Sequence, residues 1–190
     1  LELPDGRIRN WTTQLCLALE HVHRLRIVHR DVKGSNLFIT GSSNIVLGDF
    51  GVSKQLNSTA AKAITSVGSP VFMAPEWWDG RGGCPLSDMW SVGVVTYELI
   101  TLRRPFEAGN VLSLVHKISN EEPDDLPEGV DPDLCHLVFK MLSKDPSARP
   151  SSSEALRWPC LQGCYSLLQV YRGGLEKISD KKMLKEAREE

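Results

Sequence analysis

The sequence has no run of apolar residues long enough to cross a bilayer and no excess of basic residues. A membrane-spanning helix needs about 18 or more apolar residues in a row, and every apolar stretch here is interrupted sooner. The 22 Lys and Arg are offset by 24 Asp and Glu, for a formal net charge of -2. Binding to nucleic acid usually needs a basic surface, so we expect neither a membrane nor a nucleic acid as partner.

Paired cysteines are also lacking. The five cysteines are odd in number, scattered, and contain no CxxC pair, which favours reduced thiols in a reducing compartment. We therefore expect an intracellular, cytoplasmic protein. Cys160, Cys164 and His136 could suggest a zinc site, but no second ligand pair has the usual spacing, so zinc is disfavoured.

What remains is an ordinary globular composition without internal repeats. The 190 residues are 41% hydrophobic and 24% charged, which predicts one well-cored domain. The chain begins at Leu1 and carries no signal-peptide pattern. We therefore expect it to be a piece of a longer protein.

Apolar residues recur at helical spacing through most of the chain. They predict an amphipathic helix from Trp11 to Leu25. Residues 86–102 are apolar on nearly every face and predict a buried central helix. Further helices are predicted for residues 110–119, for residues 133–143, and from Ser151, where SSSE offers a capping box.

Two short β-prone runs lie between the first helix and the central one. Residues 37–40 and 45–48 flank the turn-rich sequence GSSN, which predicts a hairpin with a four-residue loop. If Thr40 faces Ile45, the same antiparallel register places Asn36 opposite Asp49. Two side chains with metal-binding oxygens would then meet at the open end of the hairpin.

Three short motifs surround this hairpin in a fixed order. Residues 29–36 read HRDVKGSN, residues 49–51 read DFG, and residues 74–76 read APE after a long Ser/Thr-rich segment. Together they make up the parts of a phosphoryl-transfer site. Over about residues 1–160 the chain thus resembles the C-terminal lobe of a eukaryotic protein kinase, and it is most similar to the NIMA-related serine/threonine group.

The resemblance implies a mainly α fold: the C-terminal lobe of the protein kinase fold (α+β), a helical bundle with a short catalytic-loop β-hairpin. It implies a kinase domain over residues 1–160 and a charged C-terminal extension over residues 161–190. A kinase also needs a glycine-rich strand over the phosphates and a strand lysine paired with a helix glutamate. Neither is visible in the sequence, so we expect the N-terminal β lobe to be absent.

The same resemblance implies transfer of the γ-phosphate of ATP to a Ser or Thr hydroxyl of a protein substrate. Asp31 would accept or orient the proton of that hydroxyl. Lys33 would place a positive charge beside the transferred phosphoryl group, and its position favours Ser/Thr over Tyr substrates. Asn36 and Asp49 would be the oxygen ligands that hold two Mg²⁺ ions with the ATP.

Regulatory roles are implied for the segment between DFG and APE. Arg30 is expected to pair with a phosphorylated activation loop, and Thr65 is the position expected to carry the phosphate. Ser69 replaces a threonine that is more common in the family. Its hydroxyl is expected to bridge Asp31 and Lys33.

Five further residues are expected to have structural roles. His29 would pack beneath Phe50, the aromatic residue of DFG. Asp88 would accept hydrogen bonds from the backbone of the HRD stretch. Glu76 and Arg149 would form a buried ion pair that locks the loop to the later helices.

Three functions from different classes remain open. The first is a serine/threonine kinase represented by one lobe, which alone would have little activity because it cannot enclose the nucleotide. The second is an inactive kinase-like lobe that acts as a protein-binding or scaffold module. The third is a structural interaction protein that acts through its charged tail. The four catalytic and metal-binding side chains favour the first, since a scaffold has no physical need for them.

Overall fold

The computed structural model describes residues 3–49 and 70–169. The helices are α1 (Asp5–Arg24), α2 (Pro75–Trp78), α3 (Pro85–Thr101), α4 (Val111–Asn120), α5 (Pro132–Met141), α6 (Ser152–Ala155) and a last helical segment at residues 159–169. Two strands, β1 (Leu37–Ile39) and β2 (Ile45–Leu47), form one antiparallel sheet, the only sheet of the described part of the chain. The prediction of a mainly helical chain with one short hairpin is confirmed.

Helix α1 is longer than predicted at its N-terminal end. It begins at Asp5, directly after Pro4, whose carbonyl accepts hydrogen bonds from the backbone of the first turn. The acidic Asp5 favours a helix N-terminus, a signal that the apolar periodicity alone did not reveal. At the other end, Arg26 has a positive φ of 59° and its N–H bonds to the carbonyl of His23. This left-handed residue ends the helix and turns the chain toward the HRD stretch.

Helix α3 forms the centre of the hydrophobic core, as its apolar composition predicts. Met89, Trp90, Val92 and Val94 are completely buried, and α3 packs against α1 on one side and α5 on the other. The predicted apolar face of α5 is buried as well, at Leu134, Leu137, Val138, Met141 and Leu142. A buried α3 gives rigid support to residues 29–30, whose backbone bonds to Asp88 of this helix.

The later helices follow their capping signals. Asn110 caps α4, with its side chain accepting a hydrogen bond from the backbone N–H of Ser113 at 2.9 Å. Ser151 and Glu154 form the predicted capping box of α6. This helix ends after one turn, and helical structure resumes at residue 159, a proline, which is well tolerated at the first position of a helix.

The predicted register of the hairpin is wrong by one residue. Ile45 faces Ile39 rather than Thr40, and Asn36 lies opposite Gly48 rather than Asp49, with the Gly48 N–H bonded to the Asn36 carbonyl at 2.9 Å. The loop has three residues instead of four because Asn44 joins the ladder, where its carbonyl accepts from the Thr40 N–H at 2.8 Å. Ser43 makes this possible by adopting a φ of 61°, as is typical of three-residue hairpin loops.

The core extends slightly past residue 160. Leu161 is completely buried and Tyr165 packs against the core. The charged stretch from residue 170 onward lies outside the described residues. None of the helices in residues 3–49 and 70–169 is long and apolar enough to span a membrane.

Candidate active site

Asp31 and its neighbours form a compact cluster between α1 and the hairpin. The Lys33 ammonium lies 2.7 Å from Asp31 Oδ2, and the Asn36 amide nitrogen lies 2.9 Å from the same oxygen. The side chains of Asp31 and Lys33 keep only 11% and 18% of their surface exposed. Two donors therefore hold one oxygen of Asp31, while no donor among the described residues is bonded to the other.

Asn36 is oriented by its bonds to Asp31. Its amide nitrogen donates to both Asp31 Oδ2 and the Asp31 backbone carbonyl, each at 2.9 Å. Both partners can only accept hydrogen bonds here, so the NH₂ group must face them. The Asn36 side-chain oxygen is therefore the atom left for a cation, although Asn36 itself is buried.

Asp49 follows β2 by two residues and lies at the same end of the hairpin as Asn36. The backbone bond from Gly48 to the Asn36 carbonyl joins the two segments. Asp49 is exposed and has a φ of 60°, a left-handed conformation that costs energy for a residue other than glycine. Such conformations concentrate at functional sites. The corrected register still brings Asn36 and Asp49 to one end of the hairpin.

Asp88, at the start of α3, binds the backbone of the catalytic loop. Its two oxygens accept hydrogen bonds from the N–H groups of His29 at 2.9 Å and Arg30 at 2.8 Å. Arg30 has a φ of 69°, so these bonds help to hold a strained backbone directly before Asp31. Asp88 is 1% exposed, which excludes competing water.

His23 is a functional neighbour that the sequence analysis missed. Its Nε2 lies 2.8 Å from Asp88 Oδ2, next to the N–H of His29. The residue comes from the last turn of α1. Nothing in the sequence pointed to this contact, because it depends on how α1 and α3 cross.

His29 is completely buried and links the catalytic loop to the hairpin. Its Nδ1 accepts from the Asp31 N–H at 3.3 Å, and its Nε2 lies 3.1 Å from the Gly48 carbonyl. A carbonyl only accepts, so Nε2 carries the proton. This bond connects the backbone near Asp31 with the strand that leads to Asp49.

Three residues with predicted roles fall outside the described part of the chain. They are Thr65 and Ser69, predicted for the activation loop, and Phe50, predicted to pack on His29. Arg30 is described: it is partly buried, and its Nε has no hydrogen-bond partner among the described residues. The roles expected for these four residues stay predictions.

Glu76 and Arg149 are joined by two parallel hydrogen bonds of 2.7 and 2.8 Å, and their side chains are 3% and 0% exposed. Ser87 donates a third bond of 2.6 Å to Glu76. Burial alone would raise the pKa of the Glu76 carboxyl. The bonds from Arg149 and Ser87 outweigh burial and lower that pKa below its usual value. Ser87 was not identified from the sequence.

The donor set of the cluster fits Mg²⁺ better than zinc. Mg²⁺ prefers oxygen ligands and usually takes one or two protein ligands together with phosphates and water. Asn36 and Asp49 would supply that pair of oxygens. Within residues 3–49 and 70–169, no group of three or more His, Cys, Asp or Glu residues could hold a metal by itself.

Comparison with known proteins finds a family match over most of the chain. The protein kinase domain model matches residues 2–161. Serine/threonine-protein kinase Nek3 of Mus musculus is 40% identical over 153 residues, which are 80% of this chain and 30% of that relative.

Two further relatives belong to the same named group. Serine/threonine-protein kinase Nek1 of Mus musculus is 40% identical over 152 residues, or 80% of this chain and 13% of the relative. Probable serine/threonine-protein kinase nek3 of Dictyostelium discoideum is 40% identical over 159 residues, or 82% of this chain and 14% of the relative. The predicted similarity to the NIMA-related (Nek) group is confirmed, and the chain spans less than a third of each of these relatives.

Proposed function

This chain belongs to the protein kinase domain family, and we propose that it is the catalytic lobe of a serine/threonine kinase. The reaction would move the γ-phosphate of ATP to a Ser or Thr hydroxyl of a protein substrate. The observation that supports this most strongly is the Asp31 cluster, in which Lys33 and Asn36 bind one carboxylate oxygen while no residue in the described ranges donates to the other. The names of the relatives support the choice of Ser and Thr as acceptors.

Asp31 is proposed as the group that accepts or orients the proton of the substrate hydroxyl. A base in this role must have a free oxygen within hydrogen-bonding reach of the hydroxyl. The Lys33 and Asn36 donors fix the carboxylate so that its second oxygen faces away from them. Fixing the carboxylate before the substrate arrives lowers the entropy cost of the reaction.

Lys33 has two proposed tasks. It neutralises part of the Asp31 charge at 2.7 Å, and it provides a positive charge for the transferred phosphoryl group. Charge stabilisation by fixed donors is usually the largest contribution to this kind of catalysis. The 18% exposure of the Lys33 side chain leaves its ammonium accessible to a substrate.

Asn36 and Asp49 are proposed to hold Mg²⁺ together with ATP. The Asn36 oxygen is available because its amide nitrogen is used by Asp31, and Asp49 lies at the same hairpin end. When bound, Mg²⁺ neutralises the charge on the phosphates. The contribution of the chain itself is to keep the two oxygen ligands beside Asp31.

The remaining expected roles are part of the same proposal. Arg30 would pair with a phosphate on the activation loop at Thr65, and Ser69 would bond to the Asp31 and Lys33 pair. Phe50 would pack on His29. We propose protein substrates because the chain belongs to this family. We propose an intracellular, cytoplasmic location because the cysteines are scattered and unpaired in sequence.

Replacing Asp31 by Asn tests the proposed function. We expect the low rate at which the wild-type chain transfers phosphate from γ-labelled ATP to Ser and Thr peptides to fall about 10² to 10⁴-fold further, the usual contribution of a general base. The exposed Asp145→Asn variant is the control and should match the wild type. A wild-type rate in Asp31→Asn would contradict the proposal. If the wild-type chain transfers no phosphate and also binds no Mg²⁺ with ATP, the scaffold alternative is favoured instead.

A further inference from the structure

The hairpin that carries the site has little stability of its own. Each strand has three residues, and an isolated two-stranded hairpin is at best marginally stable in water. Three of its six strand residues are largely exposed: Phe38 at 59%, Ile39 at 62% and Val46 at 51%. Its position must therefore be fixed by contacts from outside the sheet.

Helix α1 provides those contacts through two side chains. The Trp11 indole N–H donates to the Ser43 carbonyl at 2.8 Å. Gln14 makes three bonds: its oxygen accepts from the Ile45 N–H at 2.8 Å, and its nitrogen donates to the side-chain oxygens of Asn44 at 3.0 Å and Asn10 at 2.7 Å. The Gln14 carboxamide thus uses its oxygen and both of its hydrogens.

Gln14 supplies a hydrogen-bond acceptor for the Ile45 N–H, which faces away from β1. Ladder hydrogen bonds alternate along an antiparallel pair. Here Asn36 and Gly48 form one hydrogen-bonded pair, and Thr40 and Asn44 form another. Ile45 is paired with Ile39 at a position that is not hydrogen-bonded across the ladder, so its N–H points away from β1. A part-buried N–H without an acceptor is costly, and Gln14 supplies that acceptor.

The two ends of this hairpin are the proposed metal ligands. Asn36 directly precedes β1, and Asp49 follows β2 by two residues. We infer that Gln14 is a positioning residue, which holds the hairpin against α1 so that Asn36 and Asp49 stay in register with Asp31. This inference rests on the proposed function, because it assigns Gln14 to the same metal and nucleotide site.

Two substitutions separate the bonds of Gln14. Gln14→Met keeps the length of the side chain but removes all three bonds, so the Ile45 N–H loses its acceptor. Gln14→Glu keeps an acceptor for Ile45 and loses the donor to Asn10 and Asn44. Ile118→Val is the matched control for stability, since Ile118 is completely buried in α4 and takes no part in the side-chain hydrogen bonds between α1 and the hairpin.

The test is an NMR titration of the 190-residue chain with Mn²⁺ and ATP, following line broadening at the amides of Asn36 and Gly48. Melting temperatures are measured in parallel. We expect Gln14→Met to weaken the binding of Mn²⁺ and ATP about 5 to 10-fold, because the hairpin loses its two hydrogen bonds to Gln14. Gln14→Glu should stay within about 3-fold of the wild type, and Ile118→Val should bind like the wild type despite its lower melting temperature.

The outcomes distinguish this inference from the proposed function. If the wild type shows no broadening at Asn36 and Gly48, the proposed function fails and the role of Gln14 fails with it. If the wild type binds and Gln14→Met binds as well as Ile118→Val, only the role of Gln14 is overturned. Should Gln14→Met fail to fold, Gln14→Glu decides. If the Ile45 amide of Gln14→Glu stays protected from hydrogen exchange and the variant still binds Mn²⁺ and ATP more than about 3-fold more weakly than the wild type, the inference is contradicted.

Discussion

Glu76 and Arg149 are the most deeply buried ion pair of residues 3–49 and 70–169, with side chains 3% and 0% exposed. The pair joins α2 to the segment before α6. Taking one partner away leaves a buried charge unpaired, which typically costs about 3 to 5 kcal/mol. The pair therefore fixes the position of α2 against the later helices.

The pH dependence of stability should report this pair. The Glu76 pKa in the folded state lies below its usual value of 4.5. The folded state therefore favours the ionised carboxylate more than the unfolded state does. Its contribution is present above pH 4.5 and is lost as the pH falls through the lowered folded pKa. We expect the stability advantage of the wild type over Glu76→Gln, measured by urea unfolding, to shrink between about pH 4.5 and pH 3.

The exposed Glu128→Gln variant serves as the control and should follow the wild type at every pH. A constant difference between the wild type and Glu76→Gln down to pH 3 would show that Glu76 does not act as a buried carboxylate.

Lys144 is a buried cation without a hydrogen-bond partner in the described residues. Its ammonium lies 4.2 Å from the ring centre of Phe106 and 5.1 Å from that of Trp90. Burial lowers the Lys144 pKa from 10.5 to about 8, an effect that Glu122 partly opposes. The protonated side chain is therefore less favourable in the folded state than in the unfolded chain.

Lys144→Met should stabilise the protein at neutral pH. Below pH 8 both states of the wild type are protonated, and the folded state carries the full cost of burying the charge. Between pH 8 and 10.5 the unfolded state binds more protons, so the stability of the wild type rises with pH. We expect Lys144→Met to melt higher than the wild type at pH 7, with a smaller difference at pH 10. Exposed Lys140→Met is the control, and a lower melting temperature for Lys144→Met at pH 7 would refute this account.

Among the elements, α3 and α5 are tightly packed at a glycine of α3. A Cβ built on Gly93 would lie 2.9 Å from Met141 Cβ and 3.1 Å from Leu142 Cγ. Met141 Cβ belongs to the rigid base of a buried side chain on α5. The helices would have to separate to accommodate even one methyl group.

Gly93→Ala should therefore destabilise the protein although alanine is the better helix former. We expect overpacking to cost about 1 to 3 kcal/mol, more than the roughly 1 kcal/mol that alanine gains in a helix. Gly6→Ala is the matched control, because Gly6 lies in α1 with nothing within 4 Å of its Cβ position. Chemical unfolding should show Gly6→Ala as stable as the wild type or more stable. The same result for Gly93→Ala would contradict the close packing of α3 and α5.

The hairpin illustrates what a sequence can predict about an element. Composition and turn residues predicted its existence and its place between the motifs. Its register was missed because the loop length depends on Ser43 adopting a left-handed conformation and on Gln14 binding the N–H of Ile45. Both depend on tertiary contacts. The buried faces of α3 and α5 were predictable, since they follow directly from apolar periodicity.

At the scale of the whole molecule, the helical core supports a short catalytic loop from two sides. Helix α3 contributes Asp88 to the loop backbone, and α1 contributes His23 to Asp88 and Gln14 to the hairpin. The motif residues were recognisable in the sequence because their order and spacing resemble those of protein kinases. Among the supporting residues, Asp88 was expected from the same resemblance. His23 and Gln14 were not, because their contacts depend on how α1 packs against α3 and the hairpin. The chain spans only 13 to 30% of the length of the three relatives.

We propose that Asn36 and Asp49 hold Mg²⁺ and ATP beside Asp31. A map of line broadening over the wild-type chain, with Mn²⁺ in place of Mg²⁺ and with ATP present, tests this directly. We predict broadening centred on residues 31–36 and 47–49, and its loss in Asp49→Asn. Broadening confined to the exposed acidic segment at residues 121–128, and unchanged in Asp49→Asn, would contradict the claim.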